Sequence, residues 1–222
     1  LGTKLTGRHL THEIFPFSFK EFLTIAKKEA NINSFENYLN EGGFPEYLQY
    51  KRPDILQILL NDLINRDIAT RYKLRSQKQL KELAIYLLTN VGKQFTYNSL
   101  KKNFKFGSVH SVISFISYFE DAYLIFTIPK FDYSYKKTLV SPKKVYSIDN
   151  GLTIRNSASF FDDKGRLLEN LAFINLRKKY KEILYFQEKN ECDFIIKDRS
   201  KIIQAVQVTY ELNNDNKERE IN

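Results

Sequence analysis

The sequence predicts a mixed α/β chain of three parts: a helical lid or bundle, a winged helix-turn-helix, and a small α/β sheet module. Three observations carry this. Apolar residues recur at helical spacing through the first half of the chain, as in Leu56, Leu59, Leu60, Leu63 and Ile64. A tight turn at Phe106-Gly107 joins two helical patterns, and two β-favouring runs follow them. From Gly165 a single helical pattern leads into three short strand patterns, the order of a small α/β sheet.

Taken in order, Leu5 to Phe19 carries a β-favouring run, HEIFPFSF, in which Pro16 marks an edge or a strand end. Ser18 and Glu21 have the spacing of a capping box, and Phe22, Leu23 and Ala26 continue an apolar face. Ser34 to Leu48 is helical but broken by Gly42, Gly43 and Pro45, the glycines reading as turn residues; Asp54 to Ile68 is a third helix. Gln77 to Thr89 is amphipathic, and Thr96 to Phe104 is short. Ser108 caps the next helix, whose buried stripe is Val109, Val112, Ile113, Ile116 and Phe119. The hairpin runs are Leu124 to Ile128 and Lys144 to Ile148, separated by Pro129 and a Tyr/Lys-rich stretch. Gly151 reads as a cap glycine. Leu167 to Tyr180 is the last helix, followed by strands at Ile183 to Gln187, Cys192 to Lys197 and Ile202 to Tyr210.

Composition narrows the class. With 42% hydrophobic residues, 14% aromatic and only 27% charged over 222 residues, the chain can fill real cores and is not a disordered polyelectrolyte. No stretch approaches the roughly 18 uncharged apolar residues of a membrane helix. The chain contains no methionine and begins inside a strand-like run, which predicts a piece of a longer protein that starts upstream and is truncated downstream. The single cysteine, Cys192, lies between two acids and suits a reducing compartment, so the expected location is cytoplasmic. The net charge is +9, and ten basic residues against two acids place +8 of it between Arg66 and Lys105. Such a segment is either a solvated face or a surface for an anionic partner.

Six strings stand together in order: LTGRHLTHEIFPFSFKEFL, GGFPEYL, SPKKVYSIDNGL, GRLLENLAFINLRKKY, ECDFIIK and AVQVTYEL. In this arrangement the chain resembles the carboxy-terminal two thirds of an archaeal and bacterial AAA+ ATPase family whose tail is a domain of unknown function. The resemblance implies that residues 1–20 close the ATPase core, 21–70 form a helical lid, 71–150 a winged helix, and 151–222 a module similar to PD-(D/E)XK nucleases. It also implies ATP and magnesium as cofactors of the full-length protein and homo-oligomers formed through the ATPase core; DNA is the partner expected from the basic segment between Arg66 and Lys105. This piece has no G-x-x-x-x-G-K-[ST] phosphate loop and no strand ending in paired acids, so it is expected to hold no cofactor of the ATPase.

The related nucleases hold a divalent metal on carboxylates from a helix and two strands, beside a lysine that orients water. By this resemblance Glu169 and Asp193 are the metal ligands and, with Gln207, the catalytic positions, magnesium being the expected ion. Gln207-Val208-Thr209 stands where Glu-x-Lys is expected, so the site reads as degenerate: the amide carries no charge and the threonine is no base near neutral pH. Glu191 shares the Asp193 face as an additional ligand candidate. For nucleic acid, Lys101, Lys102 and Lys105 are the phosphate-contacting candidates, and Ser108, His110, Ser111 and Ser114 the groove-facing ones. Tyr133 and Tyr135, flanked by Lys130, Lys136 and Lys137, either stack on bases or anchor an ordinary loop. The functional expectation is the regulatory and substrate-recognising tail of an ATPase acting on DNA. A metal-dependent nuclease and a protein-interaction or oligomerisation module are the alternatives.

Overall fold

Ser18 opens the first helix, α1 (Phe19–Ala26), through the capping box that its spacing with Glu21 predicts: the Ser18 N–H donates to Glu21 Oε2 at 2.7 Å and the Glu21 N–H to Ser18 Oγ at 3.4 Å. The computed structural model describes residues 12–72, 74, 77–158, 163–199 and 201–211, and the chain is mixed α/β, as expected. Helix α2 (Ile32–Glu41) is capped by Asn31 and ends at Gly42, whose φ of 73° needs no Cβ; α3 (Pro45–Tyr50) restarts behind Pro45. Helix α4 (Asp54–Asp62) continues into a widened π-helical stretch, Leu63–Thr70, whose last hydroxyl, Thr70 Oγ1, donates to Asn65 O at 2.7 Å.

The middle of the chain runs α5 (Gln77–Thr89), β1 (Gln94–Phe95), α6 (Tyr97–Phe104), α7 (Val109–Asp121), β2 (Ile125–Pro129), α8 (Tyr135–Val140) and β3 (Lys143–Ser147). The three strands form an antiparallel sheet in the order β1-β3-β2. Strands β2 and β3 pair Phe126 with Tyr146 and Ile128 with Lys144. Helix α8, inside the Tyr/Lys-rich connection, buries no side chain and so leaves no hydrophobic period to read. After α9 (Asn150–Asn156) and α10 (Lys164–Arg177) come β4 (Glu182–Gln187), β5 (Glu191–Asp198) and β6 (Lys201–Val206), antiparallel in that order. The third strand therefore ends at Val206 rather than at Tyr210, leaving Gln207 and Thr209 beyond it.

The β-favouring run at the beginning forms no strand among the described residues. Leu5 to Thr11 lie outside them, and from His12 to Ser18 the backbone pairs with no sheet. Its groups turn to the helical part instead: the Phe17 N–H donates to Gly43 O at 2.8 Å, and Tyr38 Oη to Phe17 O at 2.7 Å. Glu13 is held by Arg177 at 3.0 and 2.7 Å, by Tyr123 Oη at 2.9 Å and by Lys181. The hydrogen bonds of Arg177 and then Lys181 bring the Glu13 carboxyl down to about 2.

One continuous apolar cluster reaches from Phe22 in α1 through Leu83 and Leu87 in α5 to Phe173 in α10 and Phe194 in β5. Tyr146 stacks on Phe173 with ring centroids 4.4 Å apart, bringing β3 against α10. Three of the quoted strings meet in a buried polar network. Asp149 Oδ2 accepts from the Gly43 N–H at 2.6 Å and Oδ1 from the Leu152 N–H at 3.0 Å. Asn150 Nδ2 donates to Leu39 O and Leu167 O, each at 3.0 Å, and its Oδ1 accepts from Asn170 Nδ2 at 2.9 Å. Asn170 Oδ1 accepts from the Ser147 N–H at 2.8 Å. Both amide hydrogens of Asn150 are used, as a buried amide requires.

Gly151 is not merely a cap: a Cβ there would be driven into the backbone carbonyl of Glu41. Gly151→Ala is expected to cost about 2 kcal/mol by overpacking. Urea unfolding at unchanged m-value checks it; an unaltered midpoint would show that α9 and α2 do not approach this closely.

Candidate functional site

Two of the positions assigned by resemblance come together. Glu169 projects from the middle of α10 and Asp193 from β5, and a third group, Lys144 of β3, lies between them. Lys144 Nζ donates to Glu169 Oε1 at 2.9 Å and to Asp193 Oδ1 at 3.0 Å. All three side chains are largely withdrawn from solvent, with 13 to 14% of their surface exposed. Tyr146 Oη donates to the same Glu169 oxygen at 2.6 Å, and Asp193 Oδ2 accepts from the Val208 N–H at 3.1 Å. The turn after α5 passes over the other carboxylate oxygen: a Cβ on Gly92 would stand 3.2 Å from Glu169 Oε2.

The electrostatics follow from this packing. Burial opposes the charge on Lys144, yet the attraction of Glu169 and Asp193 holds its pKa above the usual lysine value. Burial raises the Glu169 carboxyl, with the Asp193 charge adding to it and Lys144 and Tyr146 pulling the other way. Two carboxylates around one ammonium leave one net negative charge, so Glu169 is where an incoming proton is most easily taken up.

The donor set decides what fits here. A divalent ion between Glu169 and Asp193 would stand beside the Lys144 ammonium, like charge against like, in a site where solvent screening is weak. As arranged, the Lys144 ammonium bonds both carboxylates directly and stands in the space between them. Gln207 turns its Oε1 back to the Asp193 N–H at 3.1 Å, and Thr209 Oγ1 donates to Glu211 O at 3.0 Å. Glu191 is exposed and accepts from Gln187 Nε2. These residues line a shallow cleft of about 280 Å³ with Glu169 and Asp193. Among the described residues no group of three His, Cys, Asp or Glu is disposed to hold a metal ion. Cys192 is half-buried, and burial first, then the Asp193 charge, pushes its thiol up, away from nucleophilic use.

Lys144 and Tyr146 were not among the residues singled out from sequence. The signal available is their spacing: two positions apart on a strand they share one face, and a lysine alternating into a buried face needs a carboxylate there.

The nucleic-acid candidates lie on α6, α7 and the turn between them. Lys101 and Lys102 occupy the last turn of α6, and Lys105 follows at φ 53° as its C-cap. None of the three makes an ion pair with a described residue. Cations at this helix end also favour the helix dipole, so their placement has a structural reason as well. Ser108 is the N-cap of α7: its Oγ accepts from the Ser111 N–H at 3.1 Å and lies 3.0 Å from Ser111 Oγ. Capping therefore occupies both serines, and His110 is the exposed member of the set.

A family model described as a domain of unknown function, DUF8612, matches residues 32–160. The chain belongs to this family. The DUF8612 match contains Gly43, Lys144, Asp149 and Asn150, and stops short of Glu169 and Asp193. The chain is similar to the uncharacterised protein MJ1544 of Methanocaldococcus jannaschii, at 37% identity over 245 residues, covering 100% of this chain and 54% of that protein. It is also similar to an uncharacterised protein of Haemophilus influenzae, at 27% identity over 224 residues, covering 96% of this chain and 56% of that protein. The chain thus spans about half the length of the curated relatives it matches. No solved structure matches it. Among the described residues no helix is long and apolar enough to cross a membrane.

Proposed function

We propose that this chain is the regulatory and substrate-recognising tail of an AAA+ type ATPase acting on DNA, with a nuclease-like module that is catalytically silent. The observation that supports silence is Lys144, whose ammonium takes the place between Glu169 and Asp193 that a catalytic cation would need. The same triad ties β3 of the winged-helix part to α10 and β5, so the acids serve to join modules. The DNA reading rests on Lys101, Lys102 and Lys105, exposed or half-exposed at the α6 to α7 turn and free of ion pairs with described residues. The ATPase and its oligomer, ATP and magnesium belong to the whole protein in this reading.

In filter binding to duplex DNA over a salt series, affinity falls with a slope of about 0.9 per phosphate contacted, and replacing the three lysines by Ala together flattens it by up to about three units. No salt-sensitive binding at low ionic strength would favour an interaction module without nucleic acid.

The nuclease alternative keeps one supporting observation, that Glu169 and Asp193 do converge on one point. Cleavage of supercoiled DNA with magnesium by the wild type, lost in Asp193→Ala, would replace silence with activity. Silence in the wild type and cleavage by Gln207→Glu, Thr209→Lys would mark a decayed site.

A further inference from the structure

Just beyond β2, Lys130 meets Tyr185 of β4 in an isolated parallel bridge, where the Phe131 N–H donates to Tyr185 O at 2.6 Å. Next to this junction opens a groove of about 820 Å³, larger than the cleft at Glu169 and Asp193 and distinct from the α6 to α7 turn. Its mouth carries two tyrosines with no core to anchor them: Tyr133 is 96% exposed and Tyr135 76%. An ordinary loop-anchoring tyrosine would bury its ring, as Tyr185 does at 1% exposure.

The charges around the groove are not equivalent. Its acids are already engaged: Glu120 Oε1 accepts from the Thr127 N–H at 3.0 Å and from Thr127 Oγ1 at 2.7 Å, Asp121 from Tyr72 Oη at 2.8 Å, and Asp132 from the Ser134 N–H at 2.7 Å. Glu182 faces Lys197 across the β4–β5 pair. Of the cations that line the groove, Arg177 and Lys181 are taken by Glu13, while Arg199 is exposed and makes no ion pair with a described residue; nor do Lys130 and Lys136, which flank the lining residues in the chain. The groove thus offers the uncommitted Arg199 and two aromatic faces, with two further cations flanking the tyrosines in the chain, while its Glu120 is half-buried.

We propose that this groove binds single-stranded nucleic acid, with Tyr133 and Tyr135 stacking on successive bases and Arg199, Lys130 and Lys136 against the phosphates. Stacking needs an open base face, which a paired duplex does not present. Phosphates at the rim with amino-bearing bases inward suit cations outside and carboxylates inside. An acidic peptide would bring its carboxylates against Glu120 and gain nothing from the tyrosines.

The test is fluorescence anisotropy of the whole chain with a labelled oligodeoxycytidylate, whose bases carry the amino group, and with polyglutamate and an abasic oligonucleotide as competitors. Tyr133→Ala with Tyr135→Ala is expected to weaken binding by roughly tenfold or more, and the two Phe substitutions to retain it. Arg199→Ala should reduce the salt slope by about 0.7. Both tyrosines are exposed, so the thermal midpoint should not move. Binding unaffected by the Ala pair, or competed equally by polyglutamate or abasic strand, overturns the proposal. The tyrosine pair is also replaced in the Lys101, Lys102, Lys105 triple variant, where the same fold-loss is expected, so failure of the duplex surface and failure of this groove are read separately.

Discussion

Lys144→Met is expected to destabilise the chain by about 3 kcal/mol at neutral pH, because it leaves two buried carboxylates facing each other with no cation. The methionine keeps most of the volume, so packing loss contributes little and the penalty is electrostatic. Its sign with pH follows: without Lys144, the Asp193 charge lifts the Glu169 carboxyl further, and acidification removes the repulsion between the two acids. The variant should therefore be closest to wild type near pH 4 and furthest from it at pH 7. A double variant with Asp193→Asn should recover part of the loss, since one charge remains instead of two. Magnesium should raise the melting temperature of Lys144→Met and leave the wild type unchanged, a ligand that binds only the folded state being stabilising in proportion to its affinity. Urea titrations at both pH values decide it. A penalty independent of pH, or magnesium stabilising the wild type equally, would mean that the lysine is not what fills the space between Glu169 and Asp193.

How far the sequence reaches can be judged on particular elements. Helix α5 runs from Gln77 to Thr89 as its period says, because Leu80, Leu83, Ala84, Leu87 and Leu88 are all buried on one side. The Ser18 and Ser108 caps form as their spacing says, since a hydroxyl before an apolar stripe has one nearby use. What was not legible depends on partners far away in the chain. HEIFPFSF has strand propensity, but Gly43 and Tyr38 claim its backbone, and no local signal reports that. Glu169 and Asp193 were placed through the family resemblance, whereas Lys144 was missed because its need for them is set by a fold in which β3 lies under α10. Asp149 escaped notice for the same reason: its acceptors' task is defined by Gly43, over a hundred residues earlier.

Asp149 is also a group whose titration should be visible in stability between pH 4 and pH 7. Its carboxylate is the N-cap of α9 and accepts from Gly43 and Leu152, yet burial outweighs these N–H donors and raises its pKa from 3.8 to about 6. A folded-state pKa above the unfolded one means that the native state holds the extra proton, so the contribution is fully present below pH 3.8 and is lost as pH rises to about 6. The loss amounts to about 3 kcal/mol and then levels off. The neighbouring Tyr38 is itself raised, first by burial and then by this carboxylate, and stays neutral throughout that window. Burial raises Glu169 in the same direction, and its contribution is common to wild type and variant, so a comparison cancels it. Asp149→Asn removes the titration but presents an amide donor to one of two N–H groups, a defect that does not depend on pH. Its penalty is therefore expected to be largest near pH 4 and smaller by about 3 kcal/mol at pH 7. Unfolding free energies of both proteins across this range test the sign directly: a penalty that grows with pH would show that the Gly43 and Leu152 donors outweigh burial, and that the glycine strings close around an anion rather than a neutral acid.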